Sequence, residues 1–170
     1  MTDAIEFHQP HIEANPLDRI EEILIANDWT YNRLTMEELS ITMHGENGEY
    51  NIVMNWFETK HALKLCCQIQ NEIPQEKLSE AILISTEINQ SLFAGHFSIP
   101  RDEALPCFYY SAFFKDEASI GDTDYLEWIM HTALDQCERF APLFQWLGTS
   151  SSNLNASDLS LILMETAGRA

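Results

Sequence analysis

Six histidines and four cysteines are the residues best suited to metal or thiol chemistry, and their spacing limits that reading at once. His8 and His11 lie near the N-terminus, while His44, His61, His96 and His131 stand apart with no i, i+4 pairing on a helix. Structural metal centres draw their ligands from tighter spacings, so no metal is expected. Cys66 and Cys67 are vicinal, and on a strand their side chains leave opposite faces. They therefore neither chelate one ion nor act as a Cys-x-x-Cys pair. Cys67, beside Leu65 and Ile69, is expected in the core, and with Cys107 and Cys137 the set reads as buried free thiols. Carboxylates are abundant, yet general acid and base work needs a pocket that splits their pKa values. Adjacent acids such as Glu21/Glu22 and Glu37/Glu38 more commonly sit in water. Glu138-Arg139 could orient a ligand, although such a pair more often braces a helix end. No Gly-x-Ser-x-Gly elbow, Gly-x-Gly-x-x-Gly fingerprint or Gly-Lys-Ser/Thr phosphate loop occurs, and only six glycines are present. The expectation is a protein without a cofactor and not an enzyme.

The least ordinary segment is Cys107 to Phe114. Read as a strand, it puts Phe108, Tyr110, Ala112 and Phe114 on one face and Cys107, Tyr109, Ser111 and Phe113 on the other. Aromatics on both faces imply either a strand buried between helices of one subunit or a strand with helices on one side and another chain on the other. Three helices have to be placed in a chain of this size, which favours the first reading. Tyr109 and Phe113 are the candidate partner-binding residues on this strand.

The elements that would position these residues follow from periodicity. Asn15-Pro16-Leu17-Asp18 is a helix start, with a capping Asn, Pro at the first helical position and acids near the positive helix end. Leu17, Ile20, Ile23 and Leu24 give it one apolar face. From Trp29 the period becomes two, through Trp29-Thr30-Tyr31 and then Leu39, Ile41 and Met43. The Asn47-Gly48 pair is expected to supply two positive-φ positions, folding that strand back onto Tyr50 to Glu58. A turn at Thr59-Lys60-His61 leads into Ala62 to Gln70. From Pro74 a second helix shows Leu78, Ala81, Ile82, Ser85, Ile88 and Leu92 on one face, with Gly95 to stop it. Strands at Phe97 to Ile99 and Leu105 to Phe114 follow, and a third helix starts near Asp122, which Pro142 should kink or end. The order α-ββββ-α-ββ-α, with about five to six strands, is an α+β fold with helices packed on an antiparallel sheet.

Composition sets the outer bounds. At 170 residues the chain suits one core, which at this size buries roughly 70% of the unfolded chain's surface. A formal charge of −18 reverses the attraction that draws proteins to phosphate, so no nucleic acid and no anionic membrane is expected as partner. Hydrophobic residues at 45% argue against a disordered acidic chain. No run reaches the 18 apolar residues of a spanning helix, and no signal-peptide core follows the N-terminus, so a cytoplasmic location is expected.

Several short motifs together carry a resemblance. Asn15-Pro16-Leu17-Asp18 with Glu21-Glu22 and Asn27-Asp28-Trp29 is similar to the opening of the YbjN-like family of bacterial proteins. Glu87-Ile88-Asn89 with Gly95-His96-Phe97, then Glu138-Arg139-Phe140-x-Pro142-x-Phe144-Gln145 and Glu165-Thr166-x-Gly168-x-Ala170, extend the likeness over nearly everything from Asn15 onward. The resemblance implies a fold similar to type III secretion chaperones, and a sensory-transduction regulator without an established reaction or ligand. A basic pair often follows the Gly-His-Phe strand in this family, on the next strand. Tyr109-Tyr110 stands there instead, which favours an aromatic contact surface over an anion site.

The expectation is thus a non-enzymatic protein-binding module, chaperone-like or a regulatory adaptor, whose partner is another protein and which could form a homodimer. The alternatives are an enzyme using carboxylates with His96 or His131, and a stress- or motility-linked regulator. Residues 1–14 are expected as a tail, 15–147 as the domain, and 148–170 as a Ser/Asn-rich linker with a short C-terminal helix. In that helix Leu159 and Ile162 would dock on the domain while Leu161 and Met164 stay available to a partner.

Overall fold

The computed structural model describes residues 14–149. Helix α1 (Pro16–Ala26) begins where Asn15 accepts a hydrogen bond from the Leu17 N–H at 3.0 Å. It ends in a Schellman turn, in which Asp28 takes φ +56° and the Trp29 N–H donates back to the Leu24 carbonyl at 2.9 Å. Its buried face is the expected one, Leu17, Ile20, Ile23 and Leu24.

Four antiparallel strands follow: β1 (Tyr31–Thr35), β2 (Glu38–His44), β3 (Glu49–Phe57) and β4 (Ala62–Ile69). The turn between β2 and β3 departs from expectation, because of the Asn47-Gly48 pair only Gly48 takes a positive φ. The Gly45 N–H closes it onto the Gly48 carbonyl at 2.9 Å, and Asn47 is instead held from outside by Glu138. Helix α2 (Leu78–Ser91) begins four residues later than the Pro74 signal, since Pro74 to Lys77 form a turn of their own. Its buried face includes Ile84 rather than Ile82. Two more strands, β5 (His96–Ser98) and β6 (Cys107–Phe113), complete one six-stranded sheet in the order β1-β2-β3-β4-β6-β5. A one-turn helix α3 (Glu117–Ile120), absent from the sequence reading, precedes α4 (Thr123–Thr149).

Helix α4 corrects one arm of the expectation at Pro142, for the helix does not end there and continues through that residue to Thr149. Proline has no N–H for the carbonyl four residues back, so the Glu138 carbonyl loses its helical donor. Asn47 Nδ2 replaces it at 3.2 Å. The expected linker start at Gly148 is corrected too, since Gly148 and Thr149 are still helical.

The inward face of the sheet and helices α1, α2 and α4 share one core. At its centre Phe97 meets Phe108, Phe140 and Phe144 with ring centroids 5.3, 5.6 and 5.7 Å apart. Along β6 the inward residues are Phe108, Tyr110, Ala112 and Phe114, all part of that core or packed against it. The favoured reading of β6, buried between helices on both sides, is therefore corrected: no described helix covers the outward face. A one-sided antiparallel sheet is stable because its polar outward face can remain in water.

Candidate functional site

The outward face of the sheet is the candidate site. Its rows follow from the register, since residues opposite one another point the same way. The row nearest one end is Phe57, Ala62 and Phe113, on β3, β4 and β6. Phe113 is 73% exposed and Phe57 41%, with small, buried Ala62 between them. Two rows further on lie Val53, Cys66, Tyr109 and His96. Between these rows, Asn55, Lys64 and Ser111 form a polar band.

Tyr109 is the hub. The His96 ring stacks on it at 5.4 Å between centroids, and Lys64 Nζ stands 5.4 Å from its ring centre. Lys60 similarly stands 5.9 Å from the Phe57 ring centre, so two of the few basic residues of an acidic chain line aromatic side chains here. Burial, then the neighbouring Cys66 and Cys107, push the Tyr109 hydroxyl well above the ordinary tyrosine range. It remains protonated at neutral pH. Such a surface offers apolar area, ring faces and hydrogen-bonding edges to another polypeptide.

The residues singled out in the sequence are thus partly gathered. Tyr109 and Phe113 share the open face, whereas Leu161, Met164, Leu159 and Ile162 lie outside the described residues. His96 and His131 are not brought together: His96 stands on the open face, and His131 on α4 meets the edge of Trp29 at 6.2 Å. Among the described residues no cluster of three or more His, Cys, Asp or Glu side chains could hold a metal ion. Phe57 was missed, although its place in the period-two series with Val53 and Asn55 was the available signal. No sequence signal pairs Cys66 with Cys107, because that neighbourhood arises only from the β4–β6 register.

A family model described as "Putative bacterial sensory transduction regulator", YbjN, matches residues 16–146. The chain belongs to the YbjN family. Its fold is similar to that of the solved ExsC–ExsE complex at 15% identity, with a TM-score of 0.54 over 79% of this chain and 94% of that one. It is also similar to the crystal structure of YbjN from E. coli, a candidate transcription regulator, at 9% identity, with a TM-score of 0.50 over 74% of this chain and 87% of that one. No curated protein sequence matches. The architecture is the type III secretion chaperone-like one that the resemblance implied.

The YbjN motifs prove to be struts. Asn15 both caps α1 and donates to the Met36 carbonyl at 2.7 Å, tying the helix to the β1–β2 turn. Asn89 grips the backbone of Phe97 twice, donating to its carbonyl at 2.9 Å and accepting from its N–H at 2.6 Å, so α2 holds the edge strand β5. Gly95 has φ +74°, and a Cβ there would stand 2.3 Å from the Phe108 ring, a position open to glycine alone. Glu138 accepts from the Asn47 N–H at 3.0 Å and from Asn47 Nδ2 at 2.9 Å, and Gln145 Nε2 donates to the Asn47 carbonyl. The Glu138-Arg139 motif of this YbjN chain therefore braces the β2–β3 turn through Glu138. Beneath it the Tyr50 hydroxyl is buried, and burial first, then the Glu138 carboxylate, raise it well above the usual tyrosine range.

Proposed function

We propose that this chain is a non-enzymatic protein-binding module, a chaperone-like or regulatory adaptor of a bacterial cytoplasm, with Tyr109 and Phe113 at its contact surface. The observation that carries the reading is the open sheet face, where Phe57, Phe113 and Tyr109 stand with no described helix over them. The YbjN family is one of regulators, and the similar ExsC structure was solved bound to a second protein, ExsE, which supports the same reading. The motif residues spend their hydrogen bonds on the fold, leaving aromatic surface as the distinctive feature.

The test is capture from bacterial extract by the immobilised full chain, with a Tyr109→Ala/Phe113→Ala double variant as comparison. The wild type should retain a defined protein, and the variant, checked for folding by circular dichroism, should retain it about tenfold less, as loss of an aromatic anchor generally costs 1 to 2 kcal/mol or more. Retention of nothing above background by the wild type would refute the reading, and equal retention by both would move the contact elsewhere. A homodimer through this face belongs to the same proposal. Light scattering at tens of micromolar should return twice the chain mass, and a monomer mass would reject it.

A regulator acting through DNA is disfavoured by the charge of −18. Retention on heparin at physiological salt would restore it. An enzyme using carboxylates with His96 or His131 would need one of these histidines to converge with carboxylates in a concave pocket, whereas the His96 ring stacks on Tyr109 on the open sheet face and the His131 ring packs against Trp29.

A further inference from the structure

Exposed apolar side chains are not spread evenly over the described residues. Of the nine large ones, Leu34, Met36, Phe57 and Phe113 stand at one end of the sheet. The ladders bring them there: Glu38 opposes Asn55, Asn55 opposes Lys64 and Lys64 opposes Ser111, so the β1–β2 turn, the end of β3, the start of β4 and the end of β6 lie side by side. The Trp56 N–H donates to the Glu37 carbonyl and the Phe114 N–H to the His61 carbonyl, each at 2.8 Å, which fixes this end. Covering it is favourable in proportion to the apolar area removed from water.

Residues 1–13 lie outside the described residues, and they join the fold at the same end. Ala14 packs against the core and Asn15 is tied to the Met36 carbonyl at 2.7 Å, so the segment departs beside Met36. From the β1–β2 turn to the row Phe57, Ala62 and Phe113 is two to three strand spacings, about 10–15 Å. The stretch from Glu13 back to Phe7 spans up to about 20 Å when extended, which is enough. The segment carries Asp3, Glu6 and Glu13 with no Lys or Arg, and three large apolar side chains, Ile5, Phe7 and Ile12. Its chemistry matches the face. Among the outward strand positions of the rows through Phe113, Ser111 and Tyr109, Glu38 is the one carboxylate, although Glu58 shares the rim with Lys60. Lys60 and Lys64 stand against the Phe57 and Tyr109 rings, so a cation lies beside each aromatic, as Glu6 lies beside Phe7 in the segment.

We propose that residues 5–12 of this chain dock across the outward face at this end of the sheet, with Phe7 against the Phe57 and Phe113 rings, Ile12 by Met36, and Glu6 beside Lys60 and Lys64. The other segment outside the described residues, 150–170, departs from the opposite end. Gly148 lies against Asn71, Glu72 and Pro74, which follow β4, whereas the patch adjoins the start of that strand. A tethered segment acts at an effective concentration in the millimolar range, above that of a second copy at micromolar protein. Another protein or a second copy therefore has to displace it from Phe113 before binding there. The docking itself requires no partner, so it stands apart from the protein-binding reading.

The test places photoreactive p-benzoylphenylalanine at position 7 of the full-length chain, irradiates it at low micromolar concentration and low salt, and maps the links in the monomer band by mass spectrometry. The expected links fall within residues 55–64 and 109–115. Phe113→Asp, at a position 73% exposed and checked for folding by circular dichroism, should lower their yield roughly tenfold, because an apolar contact is replaced by a charge. Lys60→Glu with Lys64→Glu should lower it about two- to fivefold, in keeping with exposed ion pairs. Links chiefly to α2 or α4, links between two chains in place of links within one, or a yield unchanged by Phe113→Asp would overturn the proposal. Where a variant fails to fold, the map obtained with Phe113 and both lysines intact still decides.

Discussion

Tyr50 is the residue whose surroundings are most demanding. Its ring is fully buried, and its hydroxyl sits against the Glu138 carboxylate that carries the β2–β3 turn. A tyrosine whose folded pKa is raised contributes its full stability below the unfolded value of about 10, and loses it as pH climbs from there toward the folded value, because only the unfolded chain ionises. Urea unfolding of Tyr50→Phe between about pH 8 and pH 11 should show a shallower alkaline loss than the wild type, by about 1.4 kcal/mol per pH unit above pH 10. Equal slopes would mean that the hydroxyl is not held against ionisation. Asn89 is the comparable strut on the other side of the molecule. Asn89→Ala should cost about 1–3 kcal/mol in urea unfolding, since it leaves the Phe97 N–H and carbonyl without their partner at the rim of the core.

At the scale of elements, α4 is the case in which a local rule gives way. A proline inside a helix interior generally costs about 3 kcal/mol, partly through the orphaned carbonyl. Here the turn between β2 and β3 supplies Asn47 as substitute donor to that carbonyl, and the same side chain serves the Glu138 carboxylate. The helix and the hairpin should therefore be energetically coupled. In a double-mutant cycle, Asn47→Ala should be less costly in a Pro142→Ala background, where the new backbone N–H takes over the Glu138 carbonyl, by about 0.5–1.5 kcal/mol. Simple additivity would show that the substitution of donors contributes nothing. Edge strand β5 is held in the same long-range manner, by Asn89 of α2 on one side and Phe108 of β6 beneath Gly95.

For the whole molecule, charge is the dominant fact. Ion pairs such as Arg33 with Asp18 and Glu21, or Lys77 with Glu80, offset part of it, but the formal charge remains −18. Self-repulsion of the compact state weakens as salt screens it, with the Debye length falling from about 30 Å at 0.01 M to about 3 Å at 1 M. The urea midpoint should therefore rise across that range of sodium chloride, and a fall would mean that the ion pairs outweigh the repulsion. Among the described residues no helix is long and apolar enough to cross a membrane.

The order of the strands and of helices α1, α2 and α4, the hairpin connections, the α1 cap and the inward and outward sets of β6 were legible in the chain, because each depends on residues within a few positions of one another; the one-turn helix α3 was not. Period two places Phe108 and Tyr109 on opposite faces whatever the fold around them. What no local pattern contains is which face is left open, how α4 passes Pro142 and which cysteines come to neighbour one another on a face. Those depend on strands 40 residues or more apart in sequence, such as Cys66 and Cys107, and on a turn residue, Asn47, bonded to a helix residue 91 positions away. The sequence determined the two faces of β6. Only tertiary structure decided that the described helices gather on the Phe108 side, because they share one core there and none of them is left to cover Tyr109 and Phe113.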